Sequence, residues 1–205
     1  SLPSFYTSFS TISPFNKGSR KVANTFVHIR GKSPLKGTIP LMKVWSKHPE
    51  WPELKVISRF IEDLGELSAN NITVISGYLD SKELNTIQNE SEIHLCPSEA
   101  EGFGHYINEP LSCGAIVITV DGYPMNEFVQ PDRGILIDVE SREPIRHTEK
   151  FIFSPADLER KIELVLAMTE DEKEKLKKNA RKYFLENERY FEMRMLQSIE
   201  KILSL

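Results

Sequence analysis

Glu101 and Glu109 are separated by seven residues that include Gly102 and Gly104, and the segment follows the apolar run Ile93 to Cys96. Glycines after a strand let the backbone approach a ligand closely, and the amides that open the following helix favour an anion. Glu101 on the loop and Glu109 early in the helix would then border one pocket. Each carboxylate accepts two hydrogen bonds at once, which suits the adjacent hydroxyls of a ribose or hexose. Two carboxylates also suit a glycoside hydrolase. A glycine turn with two solvated acids needs no ligand at all.

A second place argues about the ligand. In His28-Ile29-Arg30-Gly31-Lys32-Ser33-Pro34-Leu35-Lys36-Gly37 a strand meets a helix through two glycines and three cations. Backbone amides together with Lys or Arg make a diphosphate cradle. Gly31-Lys32-Ser33 is no Walker A loop, because the position that would need the first glycine holds Phe26. A phosphate cradle beside the acidic loop argues against the hydrolase, since simple glycosides carry no phosphate. The competing reading of the segment is a surface turn that solvates Lys32 and Lys36. A third loop, Asp121-Gly122-Tyr123-Pro124-Met125-Asn126-Glu127, again follows an apolar run and precedes a short helix; alone it reads as a capped turn.

These places need strands to position them. Apolar runs at Val22 to Ile29, Leu54 to Ile57, Ile72 to Ile75, Ile93 to Cys96, Ala115 to Val120 and Ile135 to Val139 read as strands. Between them lie helical patterns: from Thr38 until Pro49 and Pro52 end it, Phe60 to Leu67, Ser81 to Gln88, and a helix ending at Gly114. Short strands alternating with helices predict an α/β fold, a doubly wound parallel sheet covered on both faces, which binds ligands at the strands' carboxyl ends. One domain over 1–205 is expected: an irregular leader at 1–20, an α/β core at 21–140 and a C-terminal helical segment at 141–205. Within the last, Pro155 to Met168 and Glu170 to Leu185 look amphipathic, with a further stretch from Phe191.

Composition bounds the partners. The 205 residues are 40% hydrophobic and 27% charged with a formal charge of -4, an ordinary globular balance without a global field for nucleic acid. Residues 170–205 hold eight acidic and nine basic side chains, which reads as a balanced solvated surface. Cys96 and Cys113 read as buried packing thiols, His94 as a core residue, and His28 as a group to watch beside the phosphates. No apolar stretch is long enough to span a bilayer, and the start at Ser1 rather than Met reads as a piece of something longer. A cytoplasmic location, at most peripheral to a membrane, is expected.

Pro97-Ser98, Glu101-Gly102-Phe103-Gly104 through Glu109, then Cys113-Gly114-Ala115 and the following strand resemble the Glu-x7-Glu signature of retaining glycosyltransferases of family four. Lys36-Gly37 resembles that family's phosphate turn and Asp121 to Glu127 its loop after the next strand. The resemblance implies the C-terminal, donor-binding half of a GT-B enzyme, whose partner is an N-terminal half absent from this chain. It implies a nucleoside-diphosphate sugar as substrate, UDP or GDP sugar foremost, an acceptor glycan, lipid or protein, and no cofactor or bound metal. Lys36 and Lys32 would neutralise the diphosphate, with Gly31 beside them. Glu101 with the amides of Phe103, Gly104 and His105 would hold the sugar and its phosphate. Glu109 would take the ribose, and Tyr78 and Leu79 the base. The family places Arg five positions before the Lys; here Gly31 stands there, between Arg30 and Lys32. The resemblance implies a hexosyltransferase, inactive as this isolated domain; the alternative is a non-catalytic nucleotide-sugar binding module.

Overall fold

The computed structural model describes residues 4–60, 64, 69–145 and 148–204. Eight strands are present among them: β1 (Val22–Gly31), β2 (Leu54–Ser58), β3 (Ile72–Ser76), β4 (Ser91–Cys96), β5 (Ile116–Val120), β6 (Ile135–Ile137), β7 (Val139–Ile145) and β8 (Thr148–Phe153). The helices are α1 (Thr38–Trp45), α2 (Ser81–Glu90), α3 (His105–Ser112), α4 (Met125–Phe128), α5 (Pro155–Ala167) and α6 (Glu170–Leu203). The first six strands form one parallel sheet in the order β3-β2-β1-β4-β5-β6. All residues of β4 and β5 are buried, as a sheet covered on both faces requires. α1 packs with α5, and α3 packs with α2 and α6.

The strand order places the site. The chain builds outward from β1 through β2 to β3, then returns to lay β4 on the other side of β1. The reversal opens a crevice at the carboxyl ends of β1 and β4, where sheets of this type bind ligands. The cradle segment leaves β1 there and the acidic loop leaves β4. The doubly wound expectation holds.

Three local readings are corrected. The segment 141–205 is not helical throughout: β7 and β8 form an antiparallel hairpin, and the helices begin only at Pro155. Most of β7 is exposed, so it lacks the alternation by which a strand is read. The two C-terminal stretches are one 34-residue helix, α6, started by a capping box between Thr169 and Glu172. Pro110 cannot donate a backbone bond and so predicts a helix start within a turn of it, yet α3 begins five residues earlier at His105. The missing proline donor frees the Tyr106 carbonyl, which accepts the Cys96 thiol at 3.4 Å. The helix expected over Phe60 to Leu67 lies largely outside the described residues.

Residues 4–20 hold no helix or strand and are tied down by side chains. Asn187 of α6 donates to the Phe9 carbonyl at 2.7 Å and accepts from the Ser8 hydroxyl at 2.6 Å. Asn89 of α2 donates to the Pro14 carbonyl at 2.8 Å and accepts from the Asn16 amide at the same distance.

Candidate functional site

The cradle is a single 3-10 turn, Pro34–Lys36, that Ser33 caps by accepting the Leu35 amide through its hydroxyl. Gly37 closes it at φ +64, where a side chain would be strained, and a Cβ there would stand 2.2 Å from the Pro97 carbonyl oxygen and 2.7 Å from Phe153. The turn after β1 therefore lies directly on the exit of β4. The Glu99 amide completes the seam by donating to the Leu35 carbonyl at 2.9 Å.

Across this seam Lys36 reaches Glu101, 65 positions away, and their side chains form an ion pair. The same Glu101 oxygen accepts the Ser98 hydroxyl at 2.6 Å. The Lys36 ammonium also lies 4.1 Å from the centroid of the Tyr106 ring, where the ring face attracts a cation. Beneath it the Tyr106 hydroxyl donates to the Leu95 carbonyl at 2.7 Å and stands 2.8 Å from His28 Nδ1, while His28 Nε2 meets the Thr38 hydroxyl at 2.7 Å. His28 is thus a buried brace under the cradle. Burial lowers its pKa to about 4, the Leu95 bond opposing and the cations Lys36 and Arg30 adding to the shift. Burial raises Tyr106 well above its ordinary value, so its hydroxyl keeps its proton.

Glu109 sits one turn into α3 and accepts from the Gln88 side chain of α2 at 2.7 Å. Burial raises its pKa, against which the Gln88 bond and the charges of His105 and Lys36 act. No side chain caps α3, which opens at Gly104 with φ +72. The amides of Phe103, Gly104 and His105 carry no partner among the described residues. A cation, an uncapped helix N-terminus and two carboxylates thus share one crevice. This set can hold a phosphate next to hydroxyl groups.

Residues 24–183 match the family described as Glycosyl transferases group 1. The chain belongs to that family. Solved structures agree in fold. Sucrose-phosphate synthase from Thermosynechococcus elongatus superposes with a TM-score of 0.67 at 19% identity, over 88% of this chain and 46% of that one. The C-terminal domain of a glycosyl transferase group 1 family protein (LpcC) from Francisella tularensis gives 0.61 at 18%, over 84% of this chain and 96% of the domain. Anabaena HepE, solved in complex with UDP-glucose, gives 0.64 at 17%, over 89% and 50%. No curated protein sequence matches closely enough to add a function of its own. The architecture is the Rossmann-like α/β unit of GT-B glycosyltransferases. The chain spans less than half of sucrose-phosphate synthase, but nearly the whole of the isolated C-terminal domain.

Of the residues singled out from sequence, the crevice gathers Lys36, Glu101, Gly102, Gly104, Glu109 and the amides of Phe103 and His105. Others stand apart. Lys32 is exposed on the turn after β1 and makes no hydrogen bond or ion pair among the described residues, and Gly31 beside it has φ +60 with no described atom within 4 Å of a Cβ there. Arg30 is buried and turned to the end of β2, donating to the Ser58 hydroxyl and the Phe60 carbonyl, each at 3.1 Å. Tyr78 is 73% exposed beyond β3, with the Arg59 guanidinium 5.5 Å from its ring. Leu79 lines a groove against α2 with Ile75 and Ile87. The His105 ring turns to the leader, meeting the Thr11 hydroxyl at 2.7 Å and the Phe9 ring edge-on at 4.7 Å.

Sequence reasoning gave Ser98 no role and passed over the Tyr106 ring and the hairpin. Lys150 of β8 pairs with Glu99 at 3.1 Å, and the Phe151 amide donates to the Glu99 carbonyl at 2.7 Å. Phe151 also fills the space a Cβ on Gly122 would take. The hairpin thereby fixes both the acidic loop and the loop after β5. A cavity of about 240 Å³ runs from Gly102 and Phe103 to Tyr123, Pro124 and Glu127, roofed by leader residues 5–9. It is smaller than the roughly 300–1,000 Å³ of sites for drug-sized ligands. The roomier grooves lie elsewhere on the surface.

Proposed function

We propose that this chain is the donor-binding part of a retaining glycosyltransferase of family four, holding a nucleoside-diphosphate sugar in the β1/β4 crevice. The observation that carries the reading is the meeting of Lys36 and Glu101 at the uncapped start of α3, with Glu109 one turn further on. Lys36 and the α3 amides hold the diphosphate, Glu109 accepts from the ribose hydroxyls, and Glu101 from the sugar. Tyr78 and Leu79 flank the base, and Lys32 supplies a second, mobile cation. Before donor binds, Glu101 neutralises Lys36; a phosphate takes its place on the ammonium and leaves the carboxylate to the sugar hydroxyls.

In transfer, the bond from the anomeric carbon to the diphosphate breaks as the acceptor oxygen bonds the same face, and the acceptor's hydroxyl proton passes to the departing diphosphate oxygen. Negative charge grows on the leaving diphosphate, and preorganised donors aimed at it are the largest source of acceleration this chain offers. A second Rossmann-like half supplies the acceptor side and closes the crevice to nucleotide size. The chain alone therefore binds donor without turnover.

Thermal unfolding with UDP, GDP, ADP and their sugar conjugates tests the reading. A nucleotide at 100 times its dissociation constant adds about 2.7 kcal/mol of stability. One base family is expected to stabilise the protein, and Glu109→Ala to abolish the gain. If no nucleotide stabilises either this chain or the chain joined to its second half, the donor site is wrong.

A further inference from the structure

The charges of α6 are balanced in number but not in space. One groove of about 520 Å³ runs along the helix and gathers Lys21, Lys177, Lys178, Arg181, Lys182 and Arg189, with Glu174 and Glu186 as its only carboxylates. Its place is far from the crevice. Lys21 immediately precedes β1, and Gly114 in its wall precedes β5, so it lies at the amino ends of the strands whose carboxyl ends carry the donor site.

The two carboxylates are already engaged. Glu174 pairs with Lys177 at 2.6 Å and Glu186 with Lys182 at 3.8 Å. Lys177 also meets Glu92 at 2.8 Å. Lys21, Lys178, Arg181 and Arg189 make no ion pair among the described residues. Two of these four are drawn out of water, with Glu92 and Glu188 acting on them only beyond ion-pair distance. The Lys21 ammonium donates to the Gln88 and Ser91 carbonyls at 3.1 and 2.8 Å. The Arg181 guanidinium donates to the Ser112 carbonyl at 2.6 Å and lies 4.0 Å from the centroid of the Phe15 ring. Neutral partners fix both cations in position, and their charge is offset only in part, by Glu92 and Glu188 at longer range. Burial accordingly lowers Lys21 to about 8 and lowers Arg181 from its ordinary value. Desolvated cations held rigid beside mobile ones favour an anion, because the desolvation cost is borne before the ligand arrives. Leu185 and the methylene stems of the lysines give the groove apolar walls.

We propose that this groove binds a phosphate-bearing ligand, at a site separate from the donor crevice. A phosphate group held by Arg181 and Lys21 is approached from the open side by the exposed cations Lys178, Lys182 and Arg189. Lipid headgroups and free phosphates share this chemistry, and the test distinguishes them.

The whole chain is titrated first with inorganic pyrophosphate and then with vesicles of phosphatidylcholine containing one third phosphatidylglycerol. The Gly114 amide resonance reports the groove and that of Gly104 the crevice, so failure of one reading does not touch the other. Gly114 is expected to shift with pyrophosphate if the ligand is a free phosphate, or the chain to float with anionic but not neutral vesicles if it is a headgroup. Lys178→Ala, Lys182→Ala and Arg189→Ala are all at exposed positions and leave folding intact; each weakens binding about fivefold and the triple variant about 100-fold. The Gly104 response stays as in the parent. A Gly114 resonance that neither probe moves, together with no flotation, overturns the proposal, as does a triple variant that binds like the parent.

Discussion

Gly37→Ala tests how tightly the turn after β1 is built onto β4, and Gly31→Ala is its internal control. Both glycines have positive φ, +60 at Gly31 and +64 at Gly37, so a methyl group costs each about 1–2 kcal/mol of backbone strain. They differ in what the methyl meets. At Gly31 nothing lies within 4 Å, whereas at Gly37 the Pro97 carbonyl oxygen lies at 2.2 Å and Phe153 at 2.7 Å. Relief requires the turn and the exit of β4 to part by about 1 Å, which severs the Glu99 to Leu35 hydrogen bond of 2.9 Å. Overpacking adds about 1–3 kcal/mol and the lost bond about 1 kcal/mol. Gly31→Ala should thus cost about 1–2 kcal/mol and Gly37→Ala about 3–6 kcal/mol. At about 2–4 °C per kcal/mol, the melting temperatures separate by several degrees. Urea unfolding at equal m-values reads the difference directly. Equal stability of the two variants would refute the claim that turn and loop are one rigid seam.

Other expectations follow from buried charges. Burial lowers His28 to about 4 and His94 to about 3, both below the ordinary 6.5, so the unfolded chain takes up two protons that the native state refuses. Stability is complete above pH 6.5 and falls as pH drops towards 4, approaching a slope of about 2.7 kcal/mol per pH unit; a urea midpoint unchanged between pH 7 and 5 would contradict this. Glu92 is 1% exposed between Lys173 and Lys177, themselves 2% and 8% exposed. Burial alone would raise its pKa, yet bonds from Lys177 and the Asn24 amide hold it below the usual carboxylate range. Glu92→Ala removes the buried carboxylate shared by two buried ammonium groups, leaving Lys177 to Glu174 and Lys173 to Asn24 and Glu170, and should cost about 3 kcal/mol in urea unfolding, without changing the affinity for nucleotide.

The core of this fold is legible because a parallel sheet buries both faces of its strands, so Ile116 to Val120 must be apolar throughout, and because turns at strand ends need glycine. The hairpin is not legible on the same ground. Val139 to Ile145 is exposed on most of its length, and only Phe151 and Phe153 alternate inward. Those two aromatics were the available signal, at period two around Ile152. α6 shows the opposite failure. Counting its charges gives a solvated surface, but at 3.6 residues per turn Lys178, Arg181, Lys182, Leu185 and Arg189 fall on one side.

The candidate site divides in the same way. Lys36 and Glu101 could each be found from a glycine beside a charge at a strand end, but nothing in 65 positions of sequence separation says that they touch. Topology supplies that: the return of the chain to β1 after β3 makes the first and fourth strands neighbours, and their exits are forced together. Tyr106 could not be read at all, since its role under Lys36 depends on where α3 starts, and Pro110 misplaced that start. Lys32 marks the reverse limit. Next to the Pro34–Lys36 turn in sequence, it stands in solvent, and Arg30 is held at the end of β2. Of the three cations of that segment, Lys36 is the one the described residues place against Glu101, so under the proposed donor site their ion pair is the contact that an incoming phosphate displaces.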